Sequence, residues 1–214
     1  MKGLKDLFKN EGVQFIITFL AIYVVLYYGT MFFIGVAVPG GVFHSDYLEK
    51  NGVGYVIAIR KSLLYGSETM MKLLQYNVVV KNDRLLSIVN GPGVYFHNSC
   101  IGYGVFSFWI AFVVANRTTL ALKLKWLFGG LFLIWFINVT RVCLILISND
   151  SKWPSVSNLD HHTMFNISAY LLIFILIYFY TKSEKKRKLQ NTHNRFLQKQ
   201  SFPIEKENVD TIHS

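Results

Sequence analysis

Four long apolar runs dictate what this chain can fold into. Val13 to Val38, Cys100 to Ala115, Trp126 to Ser148 and His161 to Tyr180 contain only one Lys, Arg, Asp or Glu between them, Arg141. A helix needs roughly 20 apolar residues to cross about 30 Å of hydrocarbon. The first, third and fourth runs have that length, and the second gains it if the polar but crossable Asn116 to Leu122 is added. With 52% hydrophobic and 16% charged residues, the composition is that of a membrane protein, and a soluble fold leaves the runs unexplained. The expectation is an all-α integral membrane protein with about four transmembrane helices. Residues 1–180 form one membrane-embedded domain, and 181–214 form a basic cytoplasmic tail.

The first run follows a short basic segment, lacks a small-residue cleavage site and is too long for a signal-peptide core, so it reads as an uncleaved signal anchor. Lys and Arg near helix ends mark the cytoplasmic side. Lys2, Lys5 and Lys9 precede the first run, and Arg117, Lys123 and Lys125 separate the second and third. Lys182, Lys185, Lys186, Arg187 and Lys188 follow the fourth. Both termini are therefore expected in the cytoplasm, with 39–99 and 149–160 outside. The net charge of +10 is a topology signal and implies no nucleic-acid partner. The tail reads as a solvated extension that also meets anionic membrane lipid.

The extracytoplasmic segment 39–99 divides in two. Between Gly54 and Tyr76, Val56, Ile59, Leu63, Leu64, Met70, Leu73 and Leu74 recur at helical spacing among Arg60, Lys61, Glu68 and Lys72. That pattern predicts an amphipathic helix, lying on the membrane or packed over the bundle. From Asn77 to Phe96, Val78 to Val80 and Leu85 to Val89 are β-branched or apolar runs. They are broken by Lys81-Asn82-Asp83 and Asn90-Gly91-Pro92-Gly93, which predicts a short β-hairpin or meander.

Arg141 then needs a reason. A charge near mid-bilayer costs about 2.5 to 3.5 kcal/mol and is seldom kept without a function. It lies seven residues before Ser148, about 10 Å below the outer end of its helix. Cys100 heads the second run and His161-His162 head the fourth, so thiol, guanidinium and imidazole can meet in the outer leaflet. Cys100, Gly104, Ser107 and Ala111 follow i, i+4, i+7 and i+11, a small-residue face suited to close helix packing. Asn138 shares a face with Arg141, whereas Cys143 lies about 200° around the helix and should point away. His162 continues into Asn166 and Ala169 and is favoured over His161, which stays the alternative. A metal is not expected, because adjacent helical histidines face about 100° apart. Each residue also has a bland reading: a packing cysteine, an interfacial histidine, an arginine on a lipid phosphate.

Taken together, these motifs resemble the exosortase and archaeosortase family. Asn98-Ser99-Cys100-Ile101-Gly102 is similar to the family's C-S-G core, with Ile101 in place of serine. Asn138-Val139-Thr140-Arg141 is similar to its N-x-x-R element. His161-His162-Thr163-Met164-Phe165-Asn166 resembles its histidine-headed span, with Asn166 where glycine is usual. Order and spacing agree over roughly residues 77 to 180, and the small number of spans resembles compact Bacteroidetes-type members. The resemblance implies a cysteine transpeptidase of the bacterial inner membrane, its site facing the periplasm and requiring no cofactor. It implies substrates that are secreted proteins with a tripartite C-terminal sorting signal, cleaved and passed to a surface acceptor.

The residues allow that chemistry on their own terms. A cationic Arg141 and a helix N-terminus favour the Cys100 thiolate. His162 can move the proton, and Arg141 can instead hold the tetrahedral oxyanion, with Asn138 and Asn166 in support. A noncatalytic assembly or lipid-binding protein is the alternative, in which Cys100→Ser would leave function intact. A Cys100–Cys143 redox pair is disfavoured by helix facing and by the lack of a C-x-x-C pair.

Overall fold

The computed structural model describes residues 10–37, 54–82, 84–96, 101–150 and 161–201, without the side chains of 37, 161–166, 169 and 199–201. Among these, helices α1 (Glu11–Ala37), α2 (Tyr55–Leu73), α3 (Tyr103–Ala115), α4 (Leu120–Asp150) and α5 (His161–Ser201) dominate. A sheet of β1 (Val78–Lys81), β2 (Leu85–Ile88) and β3 (Gly93–Tyr95) stands between α2 and α3. The chain forms two compact units, Met1–Leu172 and Ile173–Ser214. In the second unit α5 continues without a break through the basic Lys182 to Arg195 stretch, which sequence alone assigned to a solvated tail.

Among the described residues, two helices, Glu11–Val36 and Leu120–Asp150, are long and apolar enough to cross a membrane. Their large side chains face outward: Leu20, Val24 and Tyr28 on α1, and Leu120, Leu124, Phe128, Phe132 and Phe136 at every fourth residue of α4. Stripes of this size cost free energy in water and none in hydrocarbon.

The expected second span is corrected at both ends. Helix α3 has 13 residues, about 20 Å, and does not match a bilayer's thickness. Asn116 to Leu122 does not lengthen it. Asn116 turns extended and its Nδ2 donates to the Phe112 carbonyl at 2.7 Å, after which Leu120 opens α4. At the other end Gly102 adopts a left-handed φ of 76°, so the helical register does not run back to Cys100.

Helix α1 packs antiparallel to α3 through an aromatic ladder. Phe15, Phe19, Tyr23 and Tyr27 stack along α1 at four-residue intervals. Phe112 meets Phe15 edge-on, Phe108 meets Phe19 and Tyr23, and Gly104 lies opposite Tyr27. Helix α3 meets α4 where Trp109, fully buried, lies over Gly130. A Cβ at Gly130 would come within 2.0 Å of the indole, and that indole donates to the Trp126 carbonyl at 3.1 Å. Helix α2 is packed over the bundle. Trp135 of α4 fits against Gly66 and donates to Ser62 Oγ at 3.2 Å.

The buried face of α2 is Val56, Arg60, Leu63, Leu64, Ser67 and Met71. Leu73 and Leu74, grouped with that face by sequence, are exposed, while Arg60 and Ser67 are buried. The sheet is a three-stranded antiparallel meander rather than a lone hairpin, with Val78 opposite Ile88 and Leu86 opposite Val94. Asn82 and Asn90 take positive φ at its turns, where a short amide side chain tolerates that conformation. Val78 and Leu86 join Val56, Leu63, Phe96, Ile101, Tyr103, Val142 and Leu146 in one apolar core against the C-terminal half of α4.

Candidate functional site

Of the sequence candidates, Asn138 is the one whose side chain the structure brings against the head of α3. Gly102 caps the helix without a side-chain bond, and its carbonyl accepts from the Val105 and Phe106 amides at 2.9 and 3.1 Å. The first N–H groups of such a helix point outward and carry its positive dipole end. Ile101 is fully buried in the core, which fixes how the chain enters this helix.

Asn138 comes to this head from α4. It is 3% exposed, and its Nδ2 would lie 3.2 Å from a Cβ placed on Gly102. Its Oδ1 is buried with no hydrogen-bond partner among the described residues. Packing this tight demands glycine at 102 on two counts, the positive φ and the missing side chain.

Arg141 is half-buried on the same side of α4. Gly130 and Asn138 define the side that meets α3, and eleven residues of helix bring Arg141 within about 20° of Gly130. It stands one turn, about 4.5 Å, beyond Asn138 and so past the head of α3. Cys143 is on the opposite side. Its thiol is 1% exposed and donates to the Ser67 carbonyl of α2 at 3.6 Å, a structural cysteine in an apolar interface.

Cys100 lies outside the described residues, two positions before Gly102. Helix α5 begins at His161, which puts both histidines in its first turn; the side chains of His161, His162 and Asn166 lie outside the described set. The cytoplasmic reading of Lys2, Lys5 and Lys9, and all but the first two residues of the connection expected outside at 149–160, also fall on residues outside it. At the far end of the bundle Arg117 hydrogen-bonds Gln14, and Lys123 Nζ donates to the Val114 carbonyl at 2.8 Å. The start of α1 and the α3–α4 connection are thus neighbours, remote from the head of α3.

Two residues at the head escaped notice in the sequence. Arg60 is 5% exposed, and Tyr103, the first residue of α3, is also 5% exposed. The Tyr103 hydroxyl has no hydrogen-bond partner among the described residues and lies within electrostatic range of Arg60. The available signal was the helical wheel: Arg60 falls in the middle of the arc from Leu63 to Leu64 on α2. Uncapped amides, a guanidinium and a carboxamide make the head of α3 rich in donors, an environment that favours a thiolate or an oxyanion. No protein-family model, curated protein or solved structure matches this chain.

Proposed function

We propose that this chain is a membrane cysteine transpeptidase or peptidase of the exosortase kind, acting on the C-terminal sorting signals of secreted proteins. The observation that carries the reading is the meeting of the Asn138–Arg141 face with the uncapped head of α3, two residues beyond Cys100. The Cys100 thiolate attacks the scissile carbonyl carbon, forming a C–S bond and moving the carbonyl π electrons onto oxygen. Arg141 holds that oxyanion. Its collapse breaks the C–N bond, and His162 delivers to the leaving amine the proton it took from the thiol. An amine acceptor or water then resolves the thioester.

In this reading α1, α3 with its flanking turns, α4 and the first half of α5 are four spans of a bacterial inner membrane. Both termini are cytoplasmic, and the head of α3 faces the periplasm. The exposed apolar stripes of α1 and α4 support membrane immersion. The test is covalent trapping with a secreted protein bearing a tripartite C-terminal signal. A hydroxylamine-sensitive adduct should form on Cys100 and be lost in Cys100→Ala. Full processing by Cys100→Ser would instead assign the chain to a noncatalytic role.

A further inference from the structure

One orphaned polar atom beside the proposed site belongs to Asn138. A carboxamide enclosed among apolar neighbours loses its hydration, and one left without a bond costs free energy that a leucine of similar shape would not. Asn138 is 3% exposed, and Val139 and Val142 of the same helix belong to the apolar core. Its carboxamide is turned to the head of α3: Nδ2, Oδ1 and Cγ lie 3.2, 3.7 and 3.9 Å from a Cβ placed on Gly102. Of the two polar atoms only Oδ1 is both enclosed and unpartnered, and Nδ2 is the closer to Gly102. Helix α3 begins there with no side-chain cap. N–H groups of two kinds, from a side chain of α4 and from the first turn of α3, thus meet at one place.

We propose that the Asn138 carboxamide donates through Nδ2 to the oxyanion formed at Cys100, adding with the first amides of α3 to the charge stabilisation assigned to Arg141. This deepens the transpeptidase reading and rests on it. Cys100 stands two residues before Gly102, a length of chain that spans at most about 7 Å, so a carbonyl bonded to its sulfur stays at this end of α3. When the thiolate attacks, a C–S bond forms and the carbonyl π electrons pass to oxygen. Collapse returns them, and the C–N bond breaks with its electron pair and a proton on the leaving amine. The negative charge on oxygen exists only between those two steps. A donor held in place and shielded from water stabilises it without reorganising, which is what burial in the α3–α4 contact provides. Arg141 lies one turn further along α4, about 4.5 Å, so the two side chains address the oxygen from different heights.

The experiment compares two reactions of Cys100 in the full-length protein in detergent, carrying Cys143→Ala so that a single thiol is read by mass. p-Nitrophenyl acetate transfers its acetyl group through a tetrahedral oxyanion, whereas iodoacetamide alkylates by direct displacement and forms none. Both consume the thiolate, so the ratio of their rates cancels a change in thiol ionisation. Asn138→Leu, which keeps the shape and removes the donor, should lower the acetylation-to-alkylation ratio about 10²-fold, with alkylation within about twofold of the parent. Asn138→Asp, equally close in shape and only an acceptor when ionised, should lower it as far, and it decides the matter if Asn138→Leu does not accumulate. A ratio unchanged in these variants overturns the oxyanion role, whether both rates hold or fall together, and a parallel fall makes Asn138 a packing residue. The cysteine reading then still stands, because Cys100 is acetylated in the parent. Failure of both reagents to modify Cys100 in the parent overturns that reading and the role of Asn138 with it.

Discussion

Arg141 and Arg60 are both arginines among apolar neighbours, yet only one was legible in the sequence. Arg141 interrupts a run with no other charge, so its cost is visible without coordinates. Arg60 shares α2 with Lys61, Glu68 and Lys72 and passes as one more member of a solvated face until the helix is packed. Arg141→Lys keeps the charge but removes the planar fork. Processing of the substrate protein, normalised to enzyme level, should fall by about 10² if the guanidinium holds the oxyanion. A lysine variant with near-normal turnover would reduce Arg141 to a point charge. Cys143 makes the opposite case. Its wheel position already turned it from Arg141, and its bond to Ser67 gives it a packing role. Cys143→Ala should keep processing activity while costing about 1 kcal/mol of stability, read as a small drop in melting temperature of the solubilised protein.

Glycines decide how the elements meet, and they are where the sequence was least readable. The amphipathic helix and the strands were anticipated because breaks at Gly54, Asn82 and Asn90-Gly91 punctuate them and their periodicities differ. The limits of α3 were not. Gly102 reads as an interior residue of a helix that begins at Cys100, although its left-handed φ ends the helix there, and Asn116 reads as a crossable polar turn although it caps the C-terminus. Gly129 and Gly130 are identical in sequence terms and opposite in the fold. A Cβ at Gly129 meets nothing within 4 Å, whereas one at Gly130 runs into the Trp109 indole. Gly130→Ala should therefore force α3 from α4, costing about 1–3 kcal/mol or more and exposing the solubilised protein to protease, while Gly129→Ala should match the wild type. Equal protease resistance of the two variants would contradict the Trp109–Gly130 contact. Gly102→Ala adds about 1–2 kcal/mol of backbone strain and a Cβ against Asn138, so it should reduce turnover more than it reduces folding.

For the molecule as a whole, the question is which end of the bundle faces outward. The packing divides the polar features between two ends. Gln14, Arg117 and Lys123 gather at one, and the head of α3, the sheet and the Tyr55–Thr30 hydrogen bond of 2.8 Å gather at the other. The sequence anticipated this separation because Lys and Arg cluster at alternate run boundaries. It misplaced the limits of the second run's helix because hydropathy does not reveal where α3 begins and ends. If the basic end is cytoplasmic, Arg60, Tyr103, Asn138 and Arg141 all belong to the outer half. Single cysteines at Ser45 and Ser183, in a Cys143→Ala background with Cys100 quantified separately, test this with a membrane-impermeant maleimide on intact cells. Position 45 should be labelled. Position 183 should react only after permeabilisation, since Ser183 follows the apolar part of α5 and precedes its basic stretch. Labelling at 183 in intact cells, with protection at 45, would turn the bundle over. It would place the head of α3 on the cytoplasmic side, where no secreted protein could present its sorting signal.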